Sequence, residues 1–141
     1  MSIRFDGKVA IVTGAGGGLG RCHALDLAAR GAKVVVNDLG GAVDGTGGSL
    51  SAAEKVVEEI KSAGGEAIAN GASVTDLKQV EDMVKQTIDT WGRVDILVNN
   101  AGILRDKSFS KVTDEDFRLV LEVHLMGCLL YTSDAADDPT C

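Results

Sequence analysis

The stretch Lys8–Arg21, KVAIVTGAGGGLGR, constrains this chain more than any other. Val9, Ala10, Ile11 and Val12 form a short apolar run, the pattern of a strand covered on both faces. Thr13 ends the run, and Gly14, Gly16, Gly17, Gly18 and Gly20 follow. A helical pattern then opens through Arg21, Cys22, His23, Ala24, Leu25 and Leu27. Glycine permits positive φ and lets the backbone approach a ligand closely. The first amides of a helix are unpaired and carry partial positive charge, which together attract a phosphate. The stretch therefore reads as a pyrophosphate cradle or, taken alone, as a flexible glycine turn. Its spacing, Thr13-Gly14-x-x-x-Gly18-x-Gly20, differs from the tighter G-x-G-x-x-G fingerprint.

Further along, apolar runs and amphipathic stretches alternate. Helix one is expected over about 19–30, with Gly31 at a left-handed cap. Strand two, Ala32–Asn37, carries the buried run Val34, Val35, Val36, and Asp38 follows at its carboxyl end. The stretch 39–49 is a glycine-rich loop, read as mobile before ligand binds. Ser51-x-x-Glu54 reads as a capping box. It opens a helix with Ala53, Val56, Val57, Ile60 and Ala63 on one stripe, ended by Gly64 and Gly65. Strand three is about Glu66–Asn70. The next helix, begun by Ser73-Val74-Thr75-Asp76, places Leu77, Val80, Val84, Ile88 and Trp91 on its stripe, and Gly92 caps it. Strand four, Val94–Asn99, leads into Asn100, Ala101 and Gly102. A last helix opens at Thr113-Asp114-Glu115-Asp116 with Phe117, Val120, Leu121, Leu125 and Leu129 on its stripe.

Strands alternating with helices predict an α/β fold: a doubly wound parallel sheet with right-handed crossovers. The expected order is 3-2-1-4, and a ligand belongs over the carboxyl ends, where the order reverses between strands one and four. Gly14–Gly20, Asp38, Ser73–Val74 and Asn99–Gly102 all fall at those ends, and this convergence outweighs any single motif. An acidic residue after strand two suits the hydroxyls of an adenosine ribose. It also repels a 2′-phosphate: like charges about 4 Å apart cost roughly 1 kcal/mol in water and about 4 kcal/mol at an effective dielectric of 20. No Arg or Lys lies between Asn37 and Ser51 to compensate, so the reading is NAD over NADP.

A length of 141 residues fits one domain, and a net charge of −7 argues against nucleic acid or an anionic membrane as partner. No apolar run approaches the roughly 20 residues of a membrane span, and MSIRFDGK has no apolar signal region. Cys22, Cys128 and Cys141 have neither metal-ligand nor redox-pair spacing, so no metal site is expected and a reducing cytoplasm fits.

The glycine loop and the Asn99-Asn100-Ala101-Gly102 motif resemble the short-chain dehydrogenase/reductase family, from Arg4 to Gly127. A narrower resemblance is carried by RFDGKVAIVTGAGGGLGR, by VVVNDLGG with a glycine-rich insertion before SLSAAEKVVEEI, and by NNAGILRDKSF. These are similar to the (3R)-hydroxyacyl-CoA dehydrogenase unit of peroxisomal multifunctional enzymes and its bacterial relatives. The resemblance implies a Rossmann-like fold in which Gly14, Gly18, Leu19 and Gly20 line the pyrophosphate of NAD and Asp38 holds the ribose. By the same resemblance Ser73 and Val74 border the adenine, although many members have Asp-Val there. Asn99, Ala101 and Gly102 flank the nicotinamide ribose; for Asn99, a scaffold role and a ligand contact both stand. His124 stands where most members carry an active-site asparagine, and a proton relay and a packed helix histidine both stand. His23 reads as a surface or packing residue.

The implied activity is NAD-dependent oxidation of a secondary alcohol such as a 3-hydroxyacyl-CoA. The alternatives are another short-chain reductase, such as a 3-oxoacyl reductase, or a non-catalytic NAD-binding module. The implied partners are a small acyl-CoA substrate and, for the intact parent, one or three further copies in a dimer or tetramer. A eukaryotic parent would be peroxisomal. The family's catalytic serine and its tyrosine four residues before a lysine lie further along than the matching region. The only tyrosine is Tyr131, and position 135 is alanine. Residues 1–127 are thus expected to be an incomplete NAD-binding domain, ending after the fourth strand and the helix that follows it. Residues 128–141 read as a tail foreign to the family, resembling a translated sequencing adaptor. Such a chain should lack turnover and expose an apolar sheet edge and helix face.

Overall fold

The computed structural model describes residues 2–40, 51–105 and 107–128. Four strands and four α-helices follow one another in the expected alternation: β1 (Val9–Val12), α1 (Gly18–Ala29), β2 (Lys33–Asn37), α2 (Ser51–Ser62), β3 (Ala67–Asn70), α3 (Leu77–Trp91), β4 (Ile96–Val98) and α4 (Asp114–Leu121). A single 3₁₀ turn, Phe109–Lys111, precedes α4, and a π-helical turn, Glu122–Met126, continues it. The sheet is wholly parallel, in the order β3-β2-β1-β4. Its register pairs Ile11 with Val35 on one side and with Leu97 on the other.

The sequence makes β1 and β2 the centre of this sheet. Every residue of β1 and Val34–Asn37 of β2 are buried, as both faces are covered. On one face, Val12, Val34 and Val36 pack with Ala24 of α1 and with Ala53, Val56 and Ile60 of α2. On the other, Ile11 and Val35 pack with Val80 and Met83 of α3, and Leu97, Trp91 and Val123 close the edges of that cluster. This is the doubly wound arrangement. Short β-branched strands lie between helices, and each helix returns the chain to the amino end of the sheet.

Three details differ from the sequence reading. Ala63 lies past the end of α2 and is exposed, because Gly64 turns the chain there with φ 90°. On α3 the buried line is Val80, Met83 and Thr87, rotated from the expected stripe; Leu77 is exposed in the first turn. Thr87 can occupy that line because its hydroxyl donates to the Met83 carbonyl at 2.8 Å, leaving no unpaired polar atom. The last helix is interrupted after Leu121 by the wider π turn, and its Phe117, Leu121 and Leu125 are exposed. The glycine-rich stretch 41–50 and Leu129 lie outside the described residues.

Candidate functional site

The carboxyl ends of the four strands form one rim, and the glycine loop is stitched to it from both sides. Ala15 N–H donates to the Asn37 carbonyl of β2 at 2.8 Å. On the β4 side, Thr13 N–H donates to the Val98 carbonyl at 3.1 Å, and the buried Thr13 hydroxyl accepts from the N–H groups of Asn100 and Ala101 at 3.1 and 3.0 Å. The Asn100 side-chain amide donates to the carbonyls of Thr13 and Gly14, both at 3.1 Å.

Within the loop the glycines serve different ends. Gly14 (φ 63°) and Gly18 (φ 55°) adopt left-handed backbone that favours glycine. A Cβ on Gly14 would also come 2.8 Å from the Cα of Ala101. A Cβ on Gly20 would strike the Gly14 carbonyl oxygen, so that residue lets α1 pack onto the loop. Gly17, the N-cap of α1, has no side chain to bond the first-turn amides. Those amides are left without a side-chain cap, as the first amides of a helix that receives an anion are. Leu19 in that first turn is 72% exposed.

Asp38 sits beside this loop. One carboxylate oxygen accepts from Gly16 N–H at 2.9 Å and the other from Gly40 N–H at 2.7 Å. Its own N–H donates to the Asn70 carbonyl. Beneath it, the buried Asn37 amide donates to Asn70 Oδ1 at 3.1 Å and to the Ala72 carbonyl at 3.0 Å, joining the ends of β2 and β3. Ser73 and Val74 follow. The Ser73 hydroxyl shares a hydrogen bond with Thr75, whereas Val74 is turned inward.

Past β4 lies a recess of about 20 Å³ lined by Thr13, Val74, Asn99, Ala101, Val123, His124, Gly127 and Cys128. The Asn99 amide donates to Cys128 Sγ at 3.3 Å. The His124 ring lies on Gly102, where a Cβ would come 2.6 Å from Cε1. Its Nε2 is 3.1 Å from the Ile103 nitrogen and 3.0 Å from the Ile103 oxygen. A bare Nε2 accepts from the N–H; a protonated one donates to the carbonyl. The π turn that carries His124 is a geometry found often at functional sites.

In the first turn of α4, the buried Asp116 gathers several partners. Lys107 Nζ lies 2.5 Å from its carboxylate and the Thr113 hydroxyl 2.8 Å. The Lys107 ammonium, with the Thr113 hydroxyl behind it, lowers the Asp116 pKa from 3.8 to about 2. Arg105 approaches the same carboxylate at 3.9 Å.

The structure thus gathers Gly14, Gly18, Leu19, Gly20 and Asp38 in and beside the glycine loop and Asn99, Ala101, Gly102 and His124 past β4, with Gly14 against Ala101 where the two groups meet. The sequence reading missed Asn100 as the residue that ties the strand ends, and missed Gly16 as the partner of Asp38. No sequence signal marks either, since both depend on how the strands register: Val12 pairs with Val98, which sets Thr13 beside the first residues after β4. Among the described residues, no group of three or more His, Cys, Asp or Glu side chains is placed to hold a metal ion. None of their helices is long and apolar enough to cross a membrane.

A parallel sheet in this order, with a glycine loop opening a helix at the point of reversal, defines a Rossmann-like α/β protein. The chain matches the family model described as short chain dehydrogenase over residues 8–138, and it belongs to that oxidoreductase family. It is 56% identical over 135 residues to "Peroxisomal multifunctional enzyme type 2" of Mus musculus, covering 96% of this chain and 18% of that one. It is 60% identical over 127 residues to "Peroxisomal multifunctional enzyme A" of Dictyostelium discoideum, covering 90% and 28%. Among solved structures, a short chain dehydrogenase from Mycobacterium avium superimposes with a TM-score of 0.83 at 51% identity, covering 93% of this chain and 45% of that one. The chain therefore spans less than half the length of each of these proteins.

Proposed function

We propose that this chain is the NAD-binding portion of a dehydrogenase that oxidises the secondary alcohol of a 3-hydroxyacyl-CoA. One observation carries the reading: the glycine loop, the Asp38 carboxylate and the β4 exit converge on the rim where the strand order reverses. The residues fit a dinucleotide. Uncapped first-turn amides at Gly18–Gly20 suit a pyrophosphate, and Gly17 and Gly18 leave open space where side chains would stand. The Asp38 oxygens each keep acceptor capacity beyond one backbone N–H, which suits the two hydroxyls of a ribose. Ser73 stands toward the adenine side. Asn99, Ala101 and Gly102 stand toward the nicotinamide ribose. Bound NAD supplies the hydride acceptor, and the protein supplies position and electrostatics.

In this reading His124 holds the Ile103 peptide in place through Nε2. The acyl-CoA preference rests on the strength of the likeness to the peroxisomal enzymes. For a eukaryotic source the same likeness argues for the peroxisome, and for a bacterial one the cytoplasm. The intact parent is expected to be a dimer or tetramer. The acid–base group of the reaction is a tyrosine four residues before a lysine, and no such pair occurs in these 141 residues. Residues 128–141 add none of it.

Calorimetric titration tests the binding half: NAD should bind the chain, and Asp38→Ala should weaken it at least ten-fold. Failure of NAD to bind would sink the reading. Incubation with NAD and a 3-hydroxyacyl-CoA tests the other half, with no NADH expected above background. Turnover at the rate of an intact relative would show that catalysis needs nothing further, whereas binding without turnover is the behaviour proposed.

A further inference from the structure

Four glycines in the loop have been given a reason or a place: Gly14 and Gly18 by their left-handed backbone, Gly20 by the packing of α1, Gly17 as the N-cap. Gly16 has none of these. Its φ is not positive, so an alanine could adopt its backbone without strain. What it lacks is room. A Cβ there would come 2.7 Å from Asp38 Oδ2 and 2.8 Å from the Ala52 Cβ in the first turn of α2. Real Cβ atoms do not tolerate either distance, so something must shift. Ala52 can move only with its helix, whereas the Asp38 carboxylate ends a side chain that can rotate. Rotating the carboxylate relieves the first of these contacts but not the second, which Ala52→Gly would remove.

We propose that Gly16 is a specificity-determining position of the adenosine subsite, kept without a side chain so that the Asp38 carboxylate can lie across the glycine loop. Two backbone donors then fix that carboxylate, Gly16 N–H on one oxygen and Gly40 N–H on the other. Each oxygen keeps one acceptor direction free, a match for two neighbouring hydroxyls, which donate. A phosphate monoester in place of one hydroxyl brings only acceptors and negative charge to the same spot. Discrimination between a vicinal diol and its phosphorylated form is in this view set by two residues. Asp38 supplies the charge, and Gly16 lets that charge stand where the sugar is read. The inference rests on the reading of the rim as an NAD site.

The experiment is a double-mutant cycle on the 141-residue chain carrying Ala52→Gly, which removes the second contact, with Gly16→Ala, Asp38→Ala and the pair, titrated with NAD and with NADP. Gly16→Ala should weaken NAD at least ten-fold while leaving NADP unchanged or tighter, so the ratio of the two affinities collapses. In the Asp38→Ala background the same substitution should cost less than two-fold, since the group it displaces is gone. A general loosening of the loop would instead weaken both dinucleotides alike and add fully to Asp38→Ala, and either result overturns the proposal. Amide hydrogen exchange of the ligand-free proteins gives a second test that does not require Gly16→Ala to fold. Removing the Asp38 carboxylate should speed exchange at Gly16 N–H and Gly40 N–H at least ten-fold; unchanged exchange at Gly16 overturns the proposal. If the unsubstituted chain binds neither dinucleotide, the NAD reading fails and this inference falls with it. If it binds NAD and the ratio survives Gly16→Ala, only this inference falls.

Discussion

Deleting the Asn100 side chain strips the amide from two carbonyl groups, those of Thr13 and Gly14, at the point where the loop leaves β1. Partly buried acceptors left without a donor cost about 1–3 kcal/mol each in the unfavourable case, and less where water reaches them. Asn100→Ala should therefore destabilise the chain by about 1–3 kcal/mol. Asn99→Ala removes only a long contact to Cys128 from an exposed side chain and should stay within about 0.5 kcal/mol. Urea midpoints at constant slope separate the two, and equal losses would show that the tie is not specific to Asn100. The sequence announced a paired-asparagine motif at the end of a strand but not which member works as the tie. That depends on which of two neighbouring side chains points back across the sheet, a matter of register and twist rather than of residue type. Asp38 was legible for the opposite reason. A residue directly after an apolar strand must lie at that strand's carboxyl end, beside the glycine loop that follows the neighbouring strand. Its hold on Gly16 was not legible, because it rests on a distance between segments 22 residues apart.

At the scale of elements, α4 shows how a local signal and a tertiary one combine. Thr113 and Asp116 form a reciprocal capping box. The Thr113 hydroxyl accepts from Asp116 N–H at 3.1 Å, and Thr113 N–H donates to the Asp116 carboxylate at 3.3 Å. Thr113→Ala should cost about 1 kcal/mol, read as a lowered unfolding midpoint. The Asp116 carboxylate is held below its ordinary range by Lys107 first and by the Thr113 hydroxyl second. A depressed pKa stabilises the fold above the ordinary value, so this contribution is full above about pH 4. It is lost as the pH falls from 3.8 toward about 2. Asp116→Asn should flatten the acid limb of a thermal stability profile in that window, and an unchanged limb would assign the acid loss to other carboxylates. The helix was readable from Thr113 and three following acids. Its interruption after Leu121 was not, since nothing in residues 122–126 breaks a helical pattern. The wider turn accompanies the seating of His124 on the Ile103 peptide and of Gly127 against Val74, contacts made with the rim and not within the helix.

Taken whole, the molecule is better covered on one side than on the other. Val9–Val12 and Val34–Val36 are buried, while Ile96, Leu97 and Val98 of β4 are only half-buried and pair on one edge, with β1. On the same flank of the chain order, α4 and its continuation expose Phe117 at 58%, Leu121 at 39% and Leu125 at 59%, spaced four apart. Fully covering a Leu or Phe side chain is worth about 1.5–3 kcal/mol. Scaled by those exposures, the three offer on the order of 2–5 kcal/mol per chain, about 5–9 kcal/mol across a symmetric pair, before any ordering cost. Bringing two chains together costs about 4–15 kcal/mol in lost freedom. The stripe alone thus falls short of a tight complex, and weak self-association is the expected outcome, at dissociation constants in the high micromolar to millimolar range. Light scattering should accordingly show a mean mass that rises with concentration over that range. Replacing the pair Leu121 and Leu125 by Glu should return it to the monomer value without changing the affinity for NAD, because neither residue reaches the loop or Asp38. A mass independent of concentration in the unsubstituted chain would mean that the exposed stripe carries no cohesive energy of its own. Association that survives the double substitution would assign it to the outer edge of β4, unpaired among the described residues, where main-chain groups and not side chains do the joining.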